Sequence, residues 1–191
     1  MKLYQGYPWH IEHKGKCYRI KPFYDRVLKL FDLFKDETIT NEDKIHTAIR
    51  LLGMPKNTPT EALNAAFEVL FHSDSKEQKE PIFDFTQDSG YIYSSFLQAY
   101  NIDLIKERGK LHWLAFIDLF NGLPEDTQMA RIISIRAKPL PQPNGHNQQQ
   151  ILAEAELKRK FALKKTPDQI RKDKQAGLER MFNTLLQLAK E

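Results

Sequence analysis

Six histidines, two neighbouring aspartates and one run of lysines and arginines are the residues of this chain whose types could do chemistry. Histidines one helical turn apart bind zinc, but His10, His13, His46, His72, His112 and His146 lie in separate segments and form no such pair. His10 and His13 fall in an alternating, strand-like stretch, where residues three apart point to opposite faces. His112, next to Trp113, is the histidine whose surroundings the structure must account for. Asp84 and Asp88 could act as paired general acid and base. Carboxylates just ahead of a helix more often cap its free N–H groups and favour its dipole, and capping is the role expected of both. Cys17 is alone, so neither an intramolecular disulfide nor a multi-cysteine zinc site can form. The phosphate loop G-x-x-x-x-G-K-S/T, the dinucleotide loop G-x-G-x-x-G and the nucleophile elbow G-x-S-x-G are all missing. No enzymatic activity, cofactor or metal is expected.

The basic residues are concentrated. Between Glu154 and Lys174 stand Lys158, Arg159, Lys160, Lys164, Lys165, Arg171, Lys172 and Lys174 against four acidic residues, and this window holds the whole net charge of +4. Such a cluster with an aromatic residue, here Phe161, can neutralise phosphates and stack on bases. The interspersed acids and the small excess favour a solvated helix face, so nucleic acid is the alternative partner and not the expected one. The charges of the remainder sum to zero, which describes a near-neutral domain carrying a basic C-terminal arm.

With 191 residues, 41% hydrophobic and 28% charged, the chain can bury one sizeable core. No apolar run approaches the roughly 18 residues that span a bilayer, and the N-terminus lacks an apolar leader, so a cytoplasmic location and no membrane contact are expected. Trp9, Ile11, Tyr18 and Ile20 alternate around Lys14-Gly15, which predicts a small hairpin. The period then lengthens. Val27, Leu30, Phe31 and Phe34 predict a helix over 23–35. Thr40 caps a helix ending at Gly53, and Thr58-Pro59-Thr60-Glu61 reads as a capping box for the next. His72 to Pro81 reads as an exposed polar loop.

Nine of the 21 aromatic residues lie between Phe83 and Phe120, seven of them on two predicted helices, one opened by Asp88 or Ser89 and one over about 110–121. Trp113, Phe116 and Phe96 are expected in the core, while Tyr91, Tyr93 and Tyr100 are candidate partner contacts. Pro124-Glu125-Asp126 opens a further helix, and three prolines from Pro139 to Pro143 mark a linker. Thr166-Pro167-Asp168-Gln169 then starts a helix with Leu178, Met181, Phe182, Leu185, Leu186 and Leu188 on one stripe. That stripe, with Leu178, Met181, Phe182 and Leu185 as candidate contacts, is expected to mediate self-association or partner binding. The predicted fold is mainly α: a helical bundle-like domain with an N-terminal β-hairpin over 1–137, a proline-rich linker over 138–145 and a basic helical arm over 146–191.

Several of these residues together resemble a family. Asp84-Phe85-x-x-Asp88-x-x-Tyr91-Ile92-Tyr93-x-x-Phe96-x-x-x-Tyr100-x-Ile102-Asp103-Leu104 is followed by Leu111-His112-Trp113-x-x-Phe116 and by Gly122-Leu123-Pro124-x-Asp126-Thr127. With Ile135-Arg136 and Leu157-Lys158-Arg159-Lys160-Phe161-Ala162-Leu163, this resembles the tail assembly chaperones encoded between the major tail protein and the tape measure protein in tailed phages of Gram-positive bacteria. The resemblance implies a non-enzymatic, helical protein that coats the tape measure protein and helps recruit tail-tube subunits. It further implies action in the host cytoplasm and absence from the mature virion.

Overall fold

Alternation at the start of the chain and helical spacing thereafter decide the architecture. The computed structural model describes residues 3–71, 82–144 and 146–164, which form a two-stranded sheet, a 3-10 turn at Leu3–Gln5 and seven α-helices. Strands β1 (His10–His13) and β2 (Lys16–Arg19) pair antiparallel, with Ile11 opposite Tyr18 and both buried. Lys14 (φ 49°) and Gly15 (φ 71°) are both left-handed, as a tight two-residue hairpin turn requires.

Helix α1 (Tyr24–Lys35) buries Tyr24, Val27 and Leu30. Helix α2 (Asn41–Leu51) starts where the Thr40 hydroxyl accepts the Asp43 N–H at 3.2 Å. It stops at Gly53 (φ 68°), where a Cβ would also press on the Lys21 side chain at 3.2 Å. Helix α3 (Thr60–Phe71) follows Pro59, and the Thr58 hydroxyl donates to the Pro55 carbonyl, closing the preceding turn. Helix α4 (Ser89–Tyr100) ends at Asn101, left-handed at φ 53°.

The next two helices begin later than their sequence patterns suggest. Helix α5 runs Trp113–Asn121, because the Leu111 N–H bonds back to Glu107 and His112 forms an isolated bridge with Phe23. Helix α6 runs Gln128–Ala137, after a turn in which the Thr127 N–H donates to the Pro124 carbonyl at 3.0 Å. Residues 139–144 form neither helix nor strand, and helix α7 (Gln148–Lys160) returns to pack on α6.

The hairpin packs on α3, α1 lies against α2 and α5, and α4 lies against α5 and α6. Among them Val27, Leu30, Phe96, Trp113, Phe116 and Met129 are buried in a common core. The fold is mainly α with a small N-terminal hairpin, as the sequence predicts. No described helix is long and apolar enough to cross a membrane. The polar stretch His72–Pro81 and the segment 165–191, for which the sequence predicts a helix with an apolar stripe, lie outside the described residues.

Candidate functional site

The dense aromatic segment is largely consumed by the core. Phe116 stacks on Tyr24 at 5.1 Å, on Phe96 at 5.0 Å and on Trp113 at 5.6 Å. Trp113 is buried, and its indole N–H donates to the Leu70 carbonyl at 3.1 Å, so its polar tip is satisfied inside the protein. The Tyr24 hydroxyl donates to the Leu104 carbonyl, and burial pushes its pKa up to about 12.

The three candidate tyrosines of α4 are each half-buried and packed against this core. At about 100° per residue, Tyr93 and Tyr100 share one side of the helix and Tyr91 faces the other, so the three do not make a single patch. Tyr100 is further tied down by its hydroxyl, which donates to the Leu119 carbonyl at 2.9 Å.

His112 is structural. Its Nδ1 accepts the Leu114 N–H at 3.1 Å at the start of α5, and Nε2–H donates to the Pro8 carbonyl at 3.0 Å. That assigns the neutral imidazole with its proton on Nε2. Tyr7 stacks on the ring at 5.1 Å and Trp9 meets it edge-on at 4.8 Å. Burial lowers its pKa, against the opposing pull of the Pro8 carbonyl.

The two aspartates diverge. Asp84 accepts the N–H groups of Thr86 and Gln87 at 2.8 and 2.9 Å and pairs with Lys35 at 3.1 Å. Burial alone would raise its pKa, but the Gln87 N–H, the Lys35 ammonium and the Thr86 N–H outweigh it and hold the carboxyl below the ordinary range. Asp88 stands at the N-cap of α4 without a side-chain bond to the helix. Instead its carboxylate takes a two-pronged contact from Arg136, Nη1 to Oδ2 at 2.6 Å and Nη2 to Oδ1 at 2.8 Å, with 2% of the Asp88 side chain exposed.

Arg136 does more than neutralise Asp88. Its Nε donates to the Phe161 carbonyl at 2.6 Å and Nη1 to the Ile82 carbonyl at 3.0 Å. Asp88 in turn accepts the Asp84 N–H at 3.0 Å, and Lys158 donates to the Arg136 carbonyl at 3.0 Å. One guanidinium therefore joins the segment before α4, the end of α6 and the end of α7.

Beside this knot, α1 and α3 leave an apolar cleft of about 330 Å³ lined by Leu30, Phe31, Phe34, Phe67 and Phe71. Among the described residues no group of three or more histidine, cysteine, aspartate or glutamate side chains could hold a metal ion.

Residues 5–163 match the family described as Bacteriophage Gp15 protein. The chain belongs to this family. No curated protein and no solved structure matches it. The Gp15-family match ends at residue 163, beside the point where Arg136 and Gln87 fasten the chain. Asp84 to Asp88, Ile135-Arg136 and Leu157 to Leu163, three separated pieces of the family resemblance, thus meet at one place in the fold.

Of the basic residues, Lys158 is spent on the last carbonyl turn of α6, Lys160 lies over the Phe161 ring at 5.6 Å, and Arg159 is exposed. The Lys164 N–H donates to the Gln87 side chain at 2.7 Å. Lys165, Arg171, Lys172 and Lys174, like Leu178, Met181, Phe182 and Leu185, lie outside the described residues. Sequence reasoning missed Arg136 as the organising residue of this Gp15-family fold. The available signal was an arginine in the last turn of a helix, with an aspartate at the start of another.

Proposed function

We propose that this chain is a non-enzymatic tail assembly chaperone, which binds the phage tape measure protein in the host cytoplasm and helps recruit tail-tube subunits. The observation that carries the reading is the match of residues 5–163 to a bacteriophage protein family, on a chain whose motifs resemble the tail chaperones. The geometry supports protein binding. The cleft of Leu30, Phe31, Phe34, Phe67 and Phe71 presents only apolar side chains, and such a groove accepts the apolar face of a helix. Its modest size suits a reversible contact, which a chaperone that leaves the finished particle requires. Coating a long partner takes many copies, so self-association along the client belongs to the same reading.

Co-expression with the tape measure protein of the same phage tests it. The two proteins are expected to co-purify as a soluble complex that persists in high salt, because the contact is apolar. A tape measure protein that stays insoluble and unbound in the presence of this chain would sink the proposal.

A further inference from the structure

The apolar cleft lies close to where the described chain ends. Lys164, the last described residue, is fastened by two hydrogen bonds to Gln87: its N–H donates to Oε1 at 2.7 Å, and Nε2 donates to its carbonyl at 3.1 Å. The Gln87 N–H donates to Asp84, and Asp84 accepts from Lys35 at 3.1 Å. Lys35 follows Phe34 in α1, and Phe34 is a wall of the cleft with 44% of its surface exposed. From the same side, Phe85 lies parallel to Phe31, another wall residue, at 6.0 Å.

Two stretches outside the described residues start near this cleft. His72 to Pro81 follows the wall residue Phe71 but contains no Leu, Ile, Val, Met, Phe, Tyr or Trp, and cannot fill an all-apolar groove. Residues 165–191 contain Leu178, Met181, Phe182, Leu185, Leu186 and Leu188 at helical spacing. The distance from Lys164 to Leu178 can be about 20 Å as helix and about 45 Å extended, so the stripe has the reach to return along α1.

Charge agrees. Asp32, Asp36 and Glu37 on α1 and just past its end, and Glu68 on α3, are exposed acids near Phe34 and Phe67. The nearby cations are engaged, Lys35 with Asp84 and Lys44 with the Phe34 carbonyl. The segment that would approach carries Lys165, Arg171, Lys172, Lys174, Arg180 and Lys190 against four acids.

We infer that the apolar stripe of residues 178–188 seats in the α1–α3 cleft of its own chain. Tethering at Lys164 decides for the same chain over a second copy, because a short tether gives the segment an effective concentration on the order of millimolar at the cleft. An apolar helix of another protein would have to displace this segment. The seat itself does not depend on the identity of any phage partner.

A nitroxide placed in the full chain tests this with no partner present. In a Cys17→Ser, Asn183→Cys chain labelled at position 183, off the apolar stripe, the amide signals of Phe34 and Phe67 are expected to lose more than about half their intensity. Unlabelled-isotope chains bearing the nitroxide, mixed equally with isotope-labelled chains lacking it, should cause no loss. Adding Phe34→Glu should restore the Phe67 signal while the signals of α4 to α6 stay in place. Full intensity at Phe34 and Phe67 in the labelled chain, attenuation in the mixed sample, or attenuation that survives Phe34→Glu each overturns the inference. A failed seat with intact tape measure co-purification would leave the chaperone reading standing, and the reverse result would leave the seat standing.

Discussion

Arg136 has more demands on it than any other single side chain described, and they differ in kind. Truncating it leaves the 2%-exposed Asp88 carboxylate without its counter-charge and frees the carbonyls of Ile82 and Phe161. Breaking a buried pair from one side costs about 3–5 kcal/mol, so urea unfolding of Arg136→Ala should show an unfolding free energy lowered by that amount, as a lower midpoint with little change in slope. Arg136→Lys should recover only part of the loss, since a single ammonium cannot span the two carboxylate oxygens and the Phe161 carbonyl together. His112 gives a pH signature. Its folded pKa is depressed, so between that value and the unfolded value near 6.5 the unfolded chain binds more protons. Its contribution is complete above about pH 6.5 and is lost as pH falls through the lowered folded value. Urea titrations at pH 7 and pH 5 should show a larger fall for the parent chain than for His112→Asn, and equal falls would refute the assignment. Little of this was legible beforehand. Asp84 and Asp88 look alike in sequence, and what separates them is an arginine 48 positions from Asp88.

Helices were the most legible level, because period and punctuation act locally. Thr40, Gly53 and Asn101 stand where caps belong, and α1, α2 and α4 begin and end within a residue or two of their signals. The late starts of α5 and α6 have a common cause: the residues ahead of each are held by turns and, at His112, by a bridge to Phe23, contacts that compete with helix geometry and leave no mark in the periodicity. Helix α7 was hardest to read, for it has no fully buried residue. It is held mainly by polar ties, from Lys158 to Arg136, from Lys138 to Glu154 and from Lys164 to Gln87. Removing two of them, in Gln87→Ala with Lys158→Met, should speed amide exchange across 148–160 at least tenfold. Exchange in α4 and α5 should be unchanged. Uniform loss of protection would mean that α7 supports the core as well as resting on it.

At the level of the whole molecule, the aromatic cluster is an organising centre where α1, α4 and α5 converge. Trp113→Ala should cost about 3–5 kcal/mol and lower the melting temperature accordingly, whereas an unchanged melt would show that the ring is dispensable to the fold. Fold class could be read from the pattern of apolar residues because burial is what that pattern encodes. A protein-binding surface is harder to read, since it needs apolar area in the right shape and no fixed set of reactive groups. The cleft arises from side chains 30, 31 and 34 meeting 67 and 71, a juxtaposition that only tertiary packing creates. The N-terminal clasp has a bearing on synthesis. Pro8 waits for His112, 104 positions later, and the Tyr7 hydroxyl for Asp118, 111 positions later. Chain closure over such spans carries an entropic cost and slows folding, and on the ribosome these partners do not yet exist when the hairpin emerges. Tyr7 and Trp9 therefore remain without their ring partner His112 until well over half of the chain has been translated, so this segment locks only after the start of α5 has been made.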